Sequence, residues 1–331
     1  MFGALRMKVN APRLTIGLPV YNGERHLEES LDALLGQTYE DFELVIADNA
    51  SDDRTAHICH RYARQDSRIS YIRQPRNIGR VPNHNFLIQQ ARGELFKWAA
   101  SDDLYARDLL ARSIDALDEF PRVVLAHSRS AMIDSARAIT EVVQYPPATD
   151  LPRAADRFSS LLFDGWGDDS YGVIRTAVLR RIPLHGSYHF ADRTFTTEIA
   201  LHGPFYQVPD CLFFRREAPH REIPFTVRSR CTYLDPRRAN RFLHPAPRLY
   251  AEYCWAYVSM IGRAPLSGAE RRECYRSLAR WAGGRTLPVA DRVLRRRPLN
   301  TGRPDIESGP VAGAEAALMV DAVVAGRDRL R

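Results

Sequence analysis

Short apolar, β-prone runs recur along the first part of the chain at a near-constant interval: LTIGLP from Leu14, FELVIA from Phe42, ISYIR from Ile69, LFKWAA from Leu95 and VVLAHS from Val123. A spacing of roughly 27 residues leaves room for one helix and its turns between strands, the length of a βαβ unit. The gaps carry matching helical stripes: Leu27, Leu31, Leu34 and Leu35; Ile58, Cys59, Tyr62 and Ala63; Leu109, Leu110, Ile114 and Leu117. This alternation predicts an α/β fold, a Rossmann-like, mainly parallel sheet with helices on both faces. Such sheets bind ligands beyond the carboxyl ends of their strands. The residues that follow each run are therefore the candidates: Tyr21, Asn22, Gly23 and Glu24; Asp48, Asn49, Ala50 and Ser51; Asn77, Ile78, Gly79 and Arg80; Ser101, Asp102 and Asp103.

Beyond Tyr145 the alternation gives way to Pro-, Gly- and aromatic-rich sequence, with a helical pattern at residues 192–202 and a strand-like run at 205–214. From Arg237 the pattern predicts helices, interrupted by Pro265, by Gly283 and Gly284, and by a loop at 297–310. The expected division is a leader at 1–13, an α/β domain at 14–220 (halves 14–130 and 131–220) and a mostly helical C-terminal region at 221–331. A chain of 331 residues that is 45% apolar can bury a substantial core. No uncharged apolar run reaches eighteen residues and the start lacks the apolar stretch of a secretory signal, which predicts a cytoplasmic protein. The five cysteines are scattered with no C-x-x-C pair, so neither a disulfide framework nor a zinc site is expected. The formal charge of +7 comes almost wholly from arginine, since Lys8 and Lys97 are the only lysines, and suits a phosphate-bearing partner.

Breaking a bond between an anomeric carbon and a diphosphate builds charge on the leaving phosphates, which a bridging divalent cation relieves. Mg²⁺ and Mn²⁺ favour one or two acids on a short turn and keep positions open for phosphate. Asp102 and Asp103 meet that description, although adjacent acids in a loop are commonly a solvated turn or a helix cap. The wider set of motifs resembles glycosyltransferase family 2 from about Leu14 to His220. It comprises Leu18 to Gly23 (LPVYNG), Gln37 to Tyr39 with Asp41 to Leu44, Asp48 to Asp52 (DNASD), Arg76 to Gly79 (RNIG), Ala91 to Glu94 (ARGE) and Ala100 to Asp103 (ASDD). The resemblance implies a GT-A fold, a nucleoside diphosphate sugar donor with UDP or dTDP favoured, Mn²⁺ or Mg²⁺, and inversion at the anomeric carbon of a sugar passed to an acceptor hydroxyl. Carried over by motif, Pro19, Tyr21, Asp48 and Asn49 line the base pocket. Asn22, Glu24 and Ser101 belong to the donor site, Asp102 lies near the ribose and Asp103 ligates the metal. Asn77, Arg80, Asn83 and Asn85 face the diphosphate or sugar. The sequence departs from the family pattern at Ser101, where a full DXD has an acid, and at Asn49, where many relatives have a second acid.

An inverting transfer also needs a base for the acceptor hydroxyl. The resemblance places it at Asp192, eleven residues before Gly203, with Ala191 replacing the preceding acid and Glu198 as second candidate. Phe213 to Arg216 and His220 resemble the segment that returns to the diphosphate, His220 as a metal ligand and the arginines as phosphate holders. Trp166 and Tyr171 are candidates for stacking on an acceptor sugar. Expected partners are the donor, a hydroxyl-bearing acceptor and a second copy of the chain, with no nucleic acid. Arg292, Arg295, Arg296 and Arg297 offer a peripheral contact to an anionic membrane, a solvated helix face being the plainer reading. A nucleotide-sugar-binding protein without catalysis is the rival from another class. A sugar nucleotidyltransferase is disfavoured because LPVYN stands where its Gly-rich basic loop would be.

Overall fold

The computed structural model describes residues 11–164, 169–188, 190–216, 226–238 and 245–284, with the backbone of the last helix followed to Arg295. The strands are β1 (Leu14–Val20), β2 (Phe42–Asp48), β3 (Ile69–Arg73), β4 (Leu95–Trp98), β5 (Leu104–Tyr105), β6 (Leu125–Ile133), β7 (Ile139–Val143), β8 (Val173–Arg175) and β9 (Phe205–Arg216). The helices are α1 (Leu27–Leu35), α2 (Thr55–Gln65), α3 (Arg80–Gln90), α4 (Leu109–Glu119), α5 (Ala154–Phe163), α6 (Thr176–Leu179), α7 (Ala191–His202), α8 (Val227–Leu234), α9 (Ala246–Arg263) and α10 (Gly268–Arg295). All five predicted runs and all three predicted helical stripes fall within or against elements of the expected type.

The sheet order is β3-β2-β1-β4-β8-β6-β9-β5, with β7 on β6. β1 to β4 pair in parallel, β8 is antiparallel to both β4 and β6, and β9 is parallel to β6. The strands β1, β2, β3, β4, β6 and β9 therefore all end on one edge. Alternation along β2 sends Phe42, Leu44 and Ile46 to one face and Val45 and Ala47 to the other, the two-sided burial expected of an inner parallel strand. α1, α2 and α4 cover the first face, while α3, α5 and α7 cover the second. Each fully buried leucine in these stripes, Leu31 and Leu87 among them, contributes roughly 1.5–3 kcal/mol of transfer free energy. α9 and α10 pack on α5 and α7 through Phe158, Leu162, Leu201, Tyr257, Met260 and Cys274.

Two expectations need correction. Pro265 does break the C-terminal helices, but α10 continues through Gly283 and Gly284. The short antiparallel strands β5, β7 and β8 went unpredicted, because runs of two to five residues carry too little periodicity to distinguish from loop. The described cysteines are all free thiols, Cys254 half-buried and the others buried. Among the described residues no helix is long and apolar enough to cross a membrane.

Candidate active site

The loop after β1 is laced to the loop after β2. Asn22 N–H donates to Ser51 Oγ (3.0 Å) and its Oδ1 accepts from Asp52 N–H (3.0 Å). Gly23 N–H donates to Thr55 Oγ1 (2.8 Å), Glu24 N–H to Asp53 Oδ2 (3.0 Å) and Arg54 N–H to Glu24 Oε2 (3.0 Å). Asn22 and Ala50 hold left-handed backbone conformations, φ 52° and 62°. For Ala50 this is a costly conformation, the kind of local strain that clusters at ligand sites. Pro19 is half-buried at the end of β1, and Tyr21 stands 48% exposed beside it, leaving an aromatic face open to a ligand.

Asp48 is fully buried and both its oxygens are engaged: Oδ1 accepts from Ser51 N–H (2.8 Å) and Oγ–H (2.6 Å), Oδ2 from Tyr71 O–H (2.7 Å) and Arg73 (3.4 Å). Asn49 lies beneath the same loop, its Oδ1 accepting from Ile78 N–H (2.9 Å) and its Nδ2 donating to Asn77 Oδ1 (3.0 Å). Both side chains are engaged by protein groups of the loops after β2 and β3. Asn77 also accepts from Gly79 N–H (2.9 Å). Gly79 has φ 92° and a Cβ there would meet Pro236 Cδ at 2.6 Å, so only glycine fits this entry to α3. Arg80 opens α3 and is exposed.

Two asparagines turn inward instead. Asn83 is buried, donates to Ala47 O (2.8 Å) and accepts from Gln74 (3.3 Å). The amide of Asn85 bonds both main-chain groups of His185, each at 2.9 Å. These amides satisfy buried backbone groups rather than a donor sugar. The His185 ring stacks on Phe195 at 3.9 Å and meets Trp98 edge-on at 5.2 Å. Burial, reinforced by Arg80, pulls its pKa from 6.5 to about 3. Its folded pKa lies below the unfolded one, so stability is intact above about pH 6.5 and is lost as pH falls toward 3. Between pH 7 and 4.5 the loss is on the order of 2–3 kcal/mol. His127, whose pKa burial lowers to about 4, acts in the same direction. Urea unfolding at the two pH values should show His185→Phe, which keeps the stack and the main-chain bonds to Asn85, losing less stability on acidification than the unaltered protein. Equal losses would contradict a neutral buried imidazole.

Ser101, Asp102 and Asp103 form the turn between β4 and β5. Ser101 and Asp102 are half-buried and Asp103 is buried. Tyr105 O–H clasps the turn by accepting from Ala100 N–H (2.8 Å) and donating to Ala100 O (3.1 Å). Arg216, closing β9, gives its main-chain N–H to Asp103 Oδ1 (3.0 Å) and its Nε–H to Asp102 O (3.0 Å). Its guanidinium also reaches Asp134 O (3.3 Å) and Glu29 Oε2 (2.8 Å). The arginine expected to hold phosphate is thus spent on protein groups. His26, at the start of α1, faces this cluster, and burial together with Arg216 lowers its pKa. Lys97 is buried behind the turn, donates to Tyr171 O, and lies over the rings of Tyr105 (5.4 Å) and Phe213 (5.7 Å). Burial pulls its pKa to about 7 against the opposing influence of Asp103. A lone lysine inside the all-buried run Leu95–Trp98 was the sequence signal for it.

The Lys97 bond also fixes the neighbouring segment, because β8 pairs Val173 with Lys97 and brings residues 169–172 to the carboxyl end of β4. Asp169, Ser170, Asp192, Arg193, Thr196 and Thr197 line a small cavity there. Asp192 sits in the first turn of α7, just after Phe190 in the left-handed region at φ 58°. Glu198, by contrast, is buried and pairs with Arg263 of α9 at 3.0 and 3.2 Å, which makes it an anchor between helices. Tyr171 is half-buried at the edge of the core, its ring 5.5 Å from that of Phe213. Asp169 accepts from Tyr145 O–H (2.8 Å), a contact without any sequence signature. Trp166, His220, Arg296 and Arg297, and the side chains of Arg292 and Arg295, lie outside the described residues.

Among the described residues no three His, Cys, Asp or Glu side chains gather as a metal cage. Two acids on a fixed turn nevertheless fit the Mg²⁺ or Mn²⁺ pattern, in which substrate phosphates and water complete the coordination.

Residues 15–171 match the model of glycosyl transferase family 2. An uncharacterized glycosyltransferase of Haemophilus influenzae is 29% identical over 126 residues, 38% of this chain and 50% of that protein. The glycosyltransferase GlyG of Streptococcus pneumoniae is 29% identical over 97 residues, 29% of this chain and 32% of that one. The chain thus spans half or less of the length of these curated relatives. The crystal structure of S. aureus TarS 1–349 in complex with UDP shares the fold, with TM-score 0.60 at 18% identity over 82% of this chain and 70% of that one. The complex of the same TarS fragment with UDP-GlcNAc superposes equally, TM-score 0.61.

Proposed function

Because residues 15–171 carry a glycosyl transferase family 2 domain of GT-A fold, we propose that the protein is an inverting, divalent-metal-dependent glycosyltransferase moving a sugar from UDP or dTDP to an acceptor hydroxyl. The observation that carries this reading is the Asp102 and Asp103 turn, clamped at the same sheet edge as the interlaced loops of Asn22, Asp48, Asn49 and Asn77. Tyr21 offers its exposed ring to the base, and Asp48 and Asn49 hold the loop against which the base rests. Arg80 at the head of α3 brings positive charge toward the diphosphate. Asp103 would hold Mn²⁺ or Mg²⁺, which would supply neutralisation of charge on the departing phosphates, with Asp102 beside it near the ribose. Asp192 accepts the proton of the acceptor hydroxyl as that oxygen attacks from the face opposite the leaving group. The acceptor enters on the side of Asp169, Ser170 and Thr196.

The TarS complexes with UDP and UDP-GlcNAc support a uridine donor by likeness of fold. A panel of nucleotide sugars assayed for release of the nucleotide tests the reading. Slow hydrolysis of UDP- or dTDP-sugars with Mn²⁺, abolished by EDTA, is the expected result. Tight binding with no release under any acceptor or metal condition would favour a binding protein that has lost catalysis.

A further inference from the structure

We propose that Arg216 is a positioning residue, an internal clamp that holds the Asp102 and Asp103 turn ready for the cation; the inference rests on the donor reading above. Three observations carry it. Arg216 is only 6% exposed and its side-chain donors are taken up by protein oxygens. β5 pairs Leu104 and Tyr105 with Phe214 and Phe213, so the end of β9 is fixed alongside the turn that precedes β5. Its bonds run to three separate segments: the turn itself at Asp102 O and Asp103 Oδ1, Glu29 of α1, and Asp134 O in the connection from β6 to β7.

This is the work of a planar fork. Nε, Nη1 and Nη2 each point to a different segment, and a lysine, a single point charge on a flexible stem, reaches only part of that set. The side chain meets the turn at the main-chain oxygen of Asp102 and pairs its charge with Glu29 at 2.8 Å, while its own main-chain N–H holds Asp103, so the clamp ties the backbone of the turn to α1. Residues that orient metal ligands typically change metal affinity by about 10–100-fold when replaced.

The test uses the full chain, with UDP and Mn²⁺ as probes. Calorimetry should show Arg216→Lys weakening UDP binding in Mn²⁺ by about 10–100-fold, raising the Mn²⁺ concentration needed for half-maximal binding, and leaving binding in EDTA as in the unaltered protein. Glu29→Gln removes the charge at the exposed end of the clamp while keeping an acceptor, and should show the same selective loss at smaller size. Wild-type Mn²⁺-dependent affinity in Arg216→Lys, or an equal loss in Mn²⁺ and in EDTA, would overturn the clamp. If Arg216→Lys does not fold, Glu29→Gln decides, and unchanged Mn²⁺ dependence there overturns it too. Absence of Mn²⁺-dependent UDP binding in the unaltered protein refutes the donor reading and the clamp with it. Its presence, with both variants unaffected, refutes the clamp alone.

Discussion

Asp192→Asn is expected to slow sugar transfer by about 10²–10⁴-fold, the usual contribution of a positioned base, with UDP affinity unchanged. The amide keeps the size of the carboxylate and its bond to Arg193 N–H (3.0 Å) but has no basicity. The position supports the role, since Asp192 opens α7 and borders the cavity beside residues 169–172, which β8 ties to the end of β4. The strained Phe190 just ahead of it sets where that first turn begins. Glu198, the second candidate on the same helix, is instead buried against Arg263. The variant's rate and the anomeric configuration of the product, read by NMR, check both halves of the claim. Transfer at near wild-type rate would move the proton to another group, and a retained configuration would remove the need for a base in a single displacement.

Asp103→Asn should abolish most turnover, by roughly 10²–10³-fold, the scale of losing one electrostatic contact to the developing charge. Unlike the base variant, it should also lose metal-dependent donor binding. The substitution is close to isosteric: Asn Oδ1 still accepts from Arg216 N–H, so the turn keeps its anchor and only the negative charge disappears. Equal Mn²⁺-dependent UDP affinity in Asp103→Asn and the unaltered protein would contradict its role as a ligand.

Much of the fold was legible because each inner strand is buried on both faces and each covering helix presents one apolar stripe. Leu14 and Phe42 open runs that can hardly be anything else. The loops were legible as a set of polar residues at strand ends, yet not residue by residue. Asn49, Asn83 and Asn85 have the composition of ligand contacts, but the backbone groups they satisfy belong to segments far apart in sequence. The same long-range pairing hid Arg216, whose partners Glu29, Asp102 and Asp134 come from three different connections. The contact of the Tyr171 ring with Phe213 likewise joins segments far apart in sequence. Local pattern reports which edge of the sheet is chemical, whereas tertiary contact decides which side chains face the ligand.

Calorimetric titration of the unaltered protein with UDP, dTDP and GDP, each in Mn²⁺ and in EDTA, tests the central claim most directly. The account predicts that UDP or dTDP binds more tightly than GDP, and that this binding needs the metal. Equal affinity in Mn²⁺ and EDTA, or GDP binding more tightly than both pyrimidine nucleotides, would contradict it.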